Sequence, residues 1–168
     1  FTRLERSPWQ YVDEAFAKTL LPAPRPVHTY KNKWGHVLIL GGSPAMSGAA
    51  LMAAGACLRS GTGLLTVGLP QQAYTALHTR YPEAMVAPPE SWMQHSLYGD
   101  KTAVVADMGW QADDYHGRLL QWLISNVDCP LVLDATALQM LAHHPNWLRE
   151  RPAGAFTLLT PHPGEFRR

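Results

Sequence analysis

Four short segments of this sequence follow apolar runs and carry residue types that bind ligands or move protons. They are GGSPAMSGAA (41–50), DMGW (107–110), DATAL (134–138) and TPHPGE (160–165). Glycine N–H groups at a helix start can hold an anion, a carboxylate can contact a ligand, and an imidazole exchanges protons near neutral pH. Ligands of open α/β sheets bind at the carboxyl ends of the strands, so we expect these segments to converge on one cleft.

The first and third segments each allow a structural and a functional interpretation. The glycines at 41, 42 and 48 match neither GxGxxG nor a phosphate-binding loop with Lys-Ser/Thr, so a tight turn and an anion site both remain open. Asp134 could contact a ligand or a metal ion, but capping the next helix is the commoner role, and Thr136 could share it.

The fourth segment places His162 between Pro161 and Pro163. The prolines fix φ on both sides, which presets the direction of the imidazole ring. The ring could donate or accept a proton, or the segment could be a rigid surface turn. Glu165 could bond a substrate hydroxyl or cap a following helix.

The remaining metal-binding residue types are scattered. The other seven histidines have no Cys, Asp or Glu at metal-ligand spacing, so no metal site is predicted, and His143 and His144 indicate an exposed helix end. Cys57 and Cys129 show neither metal spacing nor a disulfide pattern, which fits a reducing cytoplasm.

Composition narrows the class of protein. The 168 residues are 46% hydrophobic, which predicts one core and one domain. A net charge of +1, without a basic block, argues against nucleic-acid and membrane partners. All apolar runs are far shorter than the roughly 20 residues that a membrane span needs.

The elements that must position the four segments alternate between strands and helices. A helix is predicted over 7–20 with Ser7 as N-cap, followed by a proline-rich linker. Strands are predicted over 36–42, 64–70, 83–87, 101–109, 129–133 and 155–160, and helices over 43–63, 71–81, 113–126 and 137–144, with Gly61 ending the first of these helices. This alternation predicts an α/β fold with a mainly parallel sheet.

In this order the four segments resemble the ADP- or ATP-dependent NAD(P)H-hydrate dehydratases. The motif Lys-x-x-x-Gly, Gly-Gly-Ser, Gly-Ala-Ala, Arg-x-Gly-x-Gly is matched by Lys31, Gly35, Gly42, Ser43, Gly48, Ala49, Arg59, Gly61 and Gly63. PEAMV (82–86), DATAL and LLTPHPGEF (158–166) are also similar to family motifs. The resemblance covers the N-terminal part of the family's domain and implies a ribokinase-like fold, a parallel sheet flanked by helices.

The resemblance also implies an activity. ADP or ATP phosphorylates the 6-hydroxyl of hydrated NADH or NADPH, and its loss restores NAD(P)H; Mg²⁺ could accompany the nucleotide. The implied substrate contacts are Ala49, Gly109 and His162, and the supporting candidates are Lys31, Gly42, Ser43, Gly48, Asp134 and Glu165.

Three departures from the family pattern bear on this implication. The family's Gly-Pro-Gly turn is Asp107-Met108-Gly109, and a carboxylate there could repel a phosphate or alter the turn. The second Asp of Asp-Ala-Asp-Ala is Thr136. The Gly-x-Gly-Asp segment, with the anion hole and the catalytic base, does not occur before Arg168. We therefore expect a domain truncated at its C-terminal side, with the catalytic residue unassigned and the nucleotide half of the site missing.

The expected organisation is an N-terminal helix and linker over 1–30 and a partial dehydratase domain over 31–168. Exposed apolar surface of a partial sheet predicts a homo-oligomer, and the start of the chain allows a fused or separate NAD(P)H-hydrate epimerase. Two alternatives remain: a ribokinase-like kinase of a small alcohol, and a non-catalytic nucleotide-binding or assembly fragment.

Overall fold

A six-stranded parallel sheet organises the chain. The computed structural model describes residues 11–21 and 24–167. The strands are β1 (His36–Leu40), β2 (Leu64–Gly68), β3 (Met85–Ala87), β4 (Ala103–Ala106), β5 (Leu131–Leu133) and β6 (Thr157–Leu159), in the order β3-β2-β1-β4-β5-β6. Every neighbouring pair is parallel. The predicted α/β class with a parallel sheet is confirmed.

The helices cross between consecutive parallel strands, with one short helix at each end of the described chain. They are α1 (Glu14–Leu20), α2 (Gly48–Arg59), α3 (Tyr74–Arg80), α4 (Asp114–Asn126), α5 (Ala135–His143) and α6 (Pro163–Phe166). Short 3-10 turns occupy Lys31–Trp34, Gln71–Ala73, Pro89–Ser91, His95–Leu97 and Pro145–Glu150. Within the described residues, no helix is long and apolar enough to cross a membrane.

Alternating side chains of β1 bury both faces of the sheet. Leu38 and Leu40 pack into a core with α4 and α5, whereas Ile39 packs into a second core with α2 and α3. All three are almost completely buried. This two-sided burial explains why the strands are continuous apolar runs.

The helix boundaries differ from those predicted. Ser7 lies outside the described residues, and α1 begins only after Asp13, whose Oδ1 accepts from Phe16 N at 2.7 Å. Residues 43–47 form a turn, so α2 is shorter than predicted, but Gly61 follows its C-cap with φ 96°, as a helix stop requires. The helix α5 begins two residues earlier than predicted, at Ala135.

Candidate functional site

The four predicted segments meet at the carboxyl end of the sheet. They directly follow β1, β4, β5 and β6, and these strands are parallel neighbours. Between β1 and β4 the strand order reverses, because β2 and β3 lie on one side and β5 and β6 on the other. Doubly wound sheets bind ligands at this switch point. The four segments therefore meet as expected. The strand order places the cleft between the segment that follows β1 and the segment that follows β4.

The glycines after β1 form a tight turn against the two neighbouring strands. Gly41 N donates to Gly68 O at 3.0 Å, and Gly42 N donates to Met108 O at 2.9 Å. Gly42 has φ 75°, and a Cβ there would lie 2.9 Å from Leu69 Cδ2. Backbone conformation and space therefore both require glycine at 42.

The start of α2 leaves room beside this turn. Gly48 is exposed, and no heavy atom would lie within 4 Å of a Cβ added there. Ala49 is half-buried. Ser43 is 3% exposed, and its Oγ has no hydrogen-bond partner among the residues that the structure describes. A buried hydroxyl without a partner is unfavourable, so a ligand atom that bonds Ser43 Oγ would relieve this cost.

Gly109, in the turn after β4, lies tightly against the loop after β1. It has φ 98°, and an added Cβ would lie 2.5 Å from Met46 O. A backbone oxygen cannot move aside as a flexible side chain can. Gly109 therefore holds the two loops at a distance that no other residue type permits.

Asp107 begins this same turn, where the resemblance led us to expect glycine. Its φ is 66°, and the residue is completely buried. Its Oδ1 accepts from Trp110 N at 2.8 Å, and its Oδ2 accepts from Ala137 N. The carboxylate is thus buried in the fold, where its two hydrogen bonds organise the turn.

The pKa of Asp107 is raised to about 6, chiefly by burial and to a lesser extent by the nearby charge of Asp134. The N–H groups of Trp110, Ala137 and Gly109 oppose this rise because they stabilise the carboxylate. At pH 7 the group is therefore mainly ionised, and both oxygens accept hydrogen bonds.

The predicted capping of α5 by Asp134 is wrong. Asp134 occupies the N-cap position but makes no capping hydrogen bond, and its Oδ1 accepts from Thr160 Oγ1 at 2.9 Å. Asp107, at the end of the neighbouring strand, bonds the helix N–H group of Ala137 instead. Thr136 does not share the cap either, since its hydroxyl donates to Trp110 O at 3.4 Å.

His162 and Glu165 fix each other at the start of α6. Gly164 N donates to His162 Nδ1 at 3.0 Å, and His162 N donates to Glu165 Oε2 at 3.0 Å. This is a capping box, so the capping interpretation of Glu165 is confirmed. Since Nδ1 accepts, a neutral ring carries its proton on Nε2, which lies 3.3 Å from Glu165 Oε1. The His162 side chain stays 68% exposed and faces solvent in a preset position.

Lys31 is the one candidate that the structure separates from the others. It lies in the 3-10 turn before β1, at the amino end of the sheet. A Cβ at Gly63 would clash with the Lys31 carbonyl oxygen. In the described chain, these two motif positions therefore meet in a tight structural contact on the side away from the cleft.

The described residues of this site do not form a set of metal ligands. Among residues 11–21 and 24–167, no group of three or more His, Cys, Asp or Glu side chains is placed to hold a metal ion. Asp107 and Asp134 are both engaged in the hydrogen bonds described above.

Comparison with known proteins agrees with this geometry. The family model described as NAD(P)H-hydrate dehydratase matches residues 37–168. A bifunctional NAD(P)H-hydrate repair enzyme Nnr of Vibrio cholerae is 35% identical over 94% of this chain. An ADP-dependent (S)-NAD(P)H-hydrate dehydratase of Lactiplantibacillus plantarum is 32% identical over 92% of it. The crystal structure of the Bacillus subtilis ADP/ATP-dependent NAD(P)H-hydrate dehydratase, co-crystallised with ATP/Mg²⁺, superimposes with a TM-score of 0.75 at 28% identity.

These relatives are longer than this chain. The chain spans 30% of the Vibrio protein, 55% of the Lactiplantibacillus protein and 54% of the Bacillus chain, whereas 93% of this chain is covered by the last. The fold is therefore that of the ribokinase-like dehydratases over the part they share. The chain belongs to the NAD(P)H-hydrate dehydratase family.

Proposed function

We propose that this chain forms the substrate-binding side of an enzyme that repairs hydrated NADH or NADPH at the expense of ADP or ATP. One observation carries the proposal. The implied substrate contacts Ala49, Gly109 and His162 follow β1, β4 and β6, and all three lie at the carboxyl end of one parallel sheet. The matching relatives carry this activity in their names.

The proposed contacts have distinct physical roles. Ala49, at the start of α2, has a side chain small enough for a ligand to approach the backbone. Gly109 holds the β4 turn close to the loop after β1. His162 presents a ring whose direction is fixed by Gly164 N–H and Glu165. Its imidazole ring, on a side chain that is 68% exposed, is the hydrogen-bonding group that we assign to the substrate.

Four supporting candidates complete the cleft. Gly42 shapes the turn after β1, Gly48 leaves open space at the start of α2, and Ser43 supplies an unpaired buried hydroxyl. Asp134 lies at the end of β5 with one oxygen bonded to Thr160. Lys31 is not part of this group, so we assign it no contact with the substrate.

The proposed reaction has two balanced steps. The substrate 6-hydroxyl oxygen attacks the terminal phosphorus of the nucleotide, the bond to the leaving phosphate breaks, and the hydroxyl proton passes to a base. The C–O bond of the phosphate ester then breaks, phosphate leaves with the bonding pair, and the adjacent ring carbon loses a proton to a base, which restores the ring double bond. Phosphoryl transfer needs positioned charge, and the described residues contain no metal-ligand cluster. We therefore assign the nucleotide, with its Mg²⁺, to the part of the relatives that this chain does not span.

The test of this proposal is turnover of hydrated NADH and NADPH by the complete gene product with ADP or ATP. Phosphorylation of small alcohols without turnover of either hydrate would favour the kinase alternative. Ligand binding without any turnover would favour the non-catalytic fragment.

The domain boundary and the cellular setting remain part of the proposal. The family match begins at residue 37, and α1 contains no buried residue, which supports a unit over 31–168 that follows an N-terminal helix and linker over 1–30. Cys57 and Cys129 are free thiols, which supports a cytoplasmic location. Bifunctional relatives support an epimerase, fused or separate, as partner.

We also propose that the protein is a homo-oligomer. The outer side of α2 carries no charge before Arg59, and it leaves Gly48, Met52 and Ala56 exposed, with Met52 73% exposed. A helix that is apolar on its outer side is normally covered.

The oligomer can be tested by light scattering on the complete gene product. We expect a mass of at least two copies for the wild type and a smaller species for Met52→Glu, because a buried charge opposes association. Gln139→Glu is the control, since Gln139 is exposed on α5, on the other face of the sheet. A wild type that is monomeric at all concentrations would contradict the proposal.

A further inference from the structure

We propose that Asp107 is a positioning residue for the substrate site. It holds the Gly109 turn against the start of α5 through its hydrogen bonds to Trp110 N and Ala137 N, here named the Asp107 bridge. The inference rests on the proposed function, because Gly109 is there assigned to the substrate.

The backbone at this junction is strained. Among the described residues, Asp107 and Ala135 are the two non-glycine residues with positive φ, at 66° and 48°. Such conformations cost free energy and persist where the surroundings impose them, often at functional sites. Both residues follow carboxyl ends of neighbouring strands, β4 and β5, and the Asp107 bridge joins the two segments.

The carboxylate uses both oxygens inside the fold. Asp107 is completely buried, and each oxygen accepts from a backbone N–H group, one in its own turn and one in α5. Hydrogen bonds from N–H groups to a carboxylate are stronger than neutral ones. The Asp107 side chain therefore accepts hydrogen bonds from an N–H group of the turn and from an N–H group at the N-terminus of α5.

Further hydrogen bonds extend the bridge across the cleft. Gly42 N donates to Met108 O at 2.9 Å, which ties the β1 turn to the residue after Asp107. Thr136 Oγ1 donates to Trp110 O at 3.4 Å, which ties α5 to the residue after Gly109. Gly109 thus lies between two fixed residues. Without the carboxylate, the Gly109 turn would lose its hydrogen bond to the start of α5. The distance from Gly109 to the start of α2 would then change.

A cap that only stabilises the protein is the competing interpretation, and Asp113 provides the matched control. Asp113 caps α4 through its Oδ1, which accepts from His116 N at 2.8 Å, but it is exposed and belongs to none of the four site segments. Removing either aspartate deletes a helix cap. Only the loss of Asp107 should move the site.

The experiment measures KM for hydrated NADH and, separately, for the nucleotide in the complete gene product. We expect Asp107→Ala to raise KM for the hydrate about tenfold or more, with the nucleotide KM within about twofold of wild type. Asp107→Asn should be intermediate, because its remaining oxygen can accept from Trp110 N–H but its amide NH₂ cannot accept from Ala137 N–H. Asp113→Ala should lower the melting temperature and leave both KM values unchanged.

Amide hydrogen exchange gives a second readout that does not need turnover. Protection of the Ala137 amide should fall in Asp107→Asn, which keeps an acceptor for Trp110 N–H only, and it should stay unchanged in Asp113→Ala. If Asp107→Ala does not fold, Asp107→Asn carries both measurements. Lost amide protection with unchanged KM for the hydrate would overturn the positioning role, and equal protection in wild type and Asp107→Asn would overturn the bridge. If the wild type does not process hydrated NADH at all, the proposed function fails, while the exchange data still decide whether the bridge exists.

Discussion

Replacing Gly109 by alanine is expected to lower kcat/KM for hydrated NADH about 100-fold and to destabilise the protein by about 3 kcal/mol. Two physical effects combine. Alanine is strained at φ 98°, and its Cβ would lie 2.5 Å from Met46 O, a backbone atom. The β1 and β4 loops must therefore separate, which moves both sides of the proposed cleft. Steady-state kinetics and denaturant unfolding of the complete gene product measure the two effects.

The control variant Gly154→Ala separates the effect of backbone strain from the effect of a steric clash of the added Cβ. Gly154 has φ 81°, similar to Gly109, but no heavy atom would lie within 4 Å of its Cβ. We expect Gly154→Ala to lower the free energy of unfolding by only about 1 kcal/mol and to leave the kinetics unchanged, because the left-handed conformation is then the sole cost. A Gly109→Ala variant as mild as Gly154→Ala would show that the loops tolerate separation, and it would remove Gly109 from the proposed site.

Replacing His162 by asparagine is expected to lower kcat/KM for the hydrate about 10- to 100-fold, with a change in stability below about 1 kcal/mol. Asparagine is a good N-cap, so α6 should keep the capping bond that His162 Nδ1 now makes with Gly164 N–H. The imidazole ring is lost, and with it Nε2, which lies 3.3 Å from Glu165 Oε1. The substitution thus removes the proposed contact and retains the local fold.

His144→Asn is the control for this change. His144 is also exposed, but it stacks on Trp147 at 4.3 Å after the C-terminal end of α5, away from the four segments. Its replacement should leave kcat/KM unchanged. Unchanged kinetics in His162→Asn as well would support the rigid-turn interpretation of PHPG, and His162 would have to be withdrawn as a substrate contact.

The sequence was sufficient for the sheet because the inner strands are short, mainly apolar runs with most of their side chains buried. The edge strands β3 and β6 are more exposed but were still recognisable as short apolar segments. Convergence of the four segments then follows from parallel pairing alone. The boundaries were less predictable. Residues 43–47 are near a run rich in alanine, but the left-handed Gly42 and the hydrogen bond from Met46 N to Ser43 O form a turn before α2 begins.

The cap of α5 could not be predicted from local rules. Those rules assign capping to the residue before the helix, which is Asp134. The structure instead uses Asp107, which lies 30 residues before Ala137, the residue whose N–H group it bonds. The available signal was an aspartate where the resemblance implies glycine, since aspartate tolerates positive φ better than most residues. For Lys31, a motif match was not sufficient to place the residue in the site. Lys31 belongs to a matching motif, yet the structure places it at the amino end of the sheet.

The most direct test of the account is an assay of the complete gene product with hydrated NADH and either ADP or ATP. We predict that the dihydronicotinamide absorbance of NADH returns, with one phosphate released for each NADH formed, and that hydrated NADPH behaves in the same way or more weakly. The hydrate without nucleotide, and small alcohols with nucleotide, are the controls. Phosphorylation of a small alcohol without recovery of NADH or NADPH would contradict the proposed function, as would no recovery with either nucleotide.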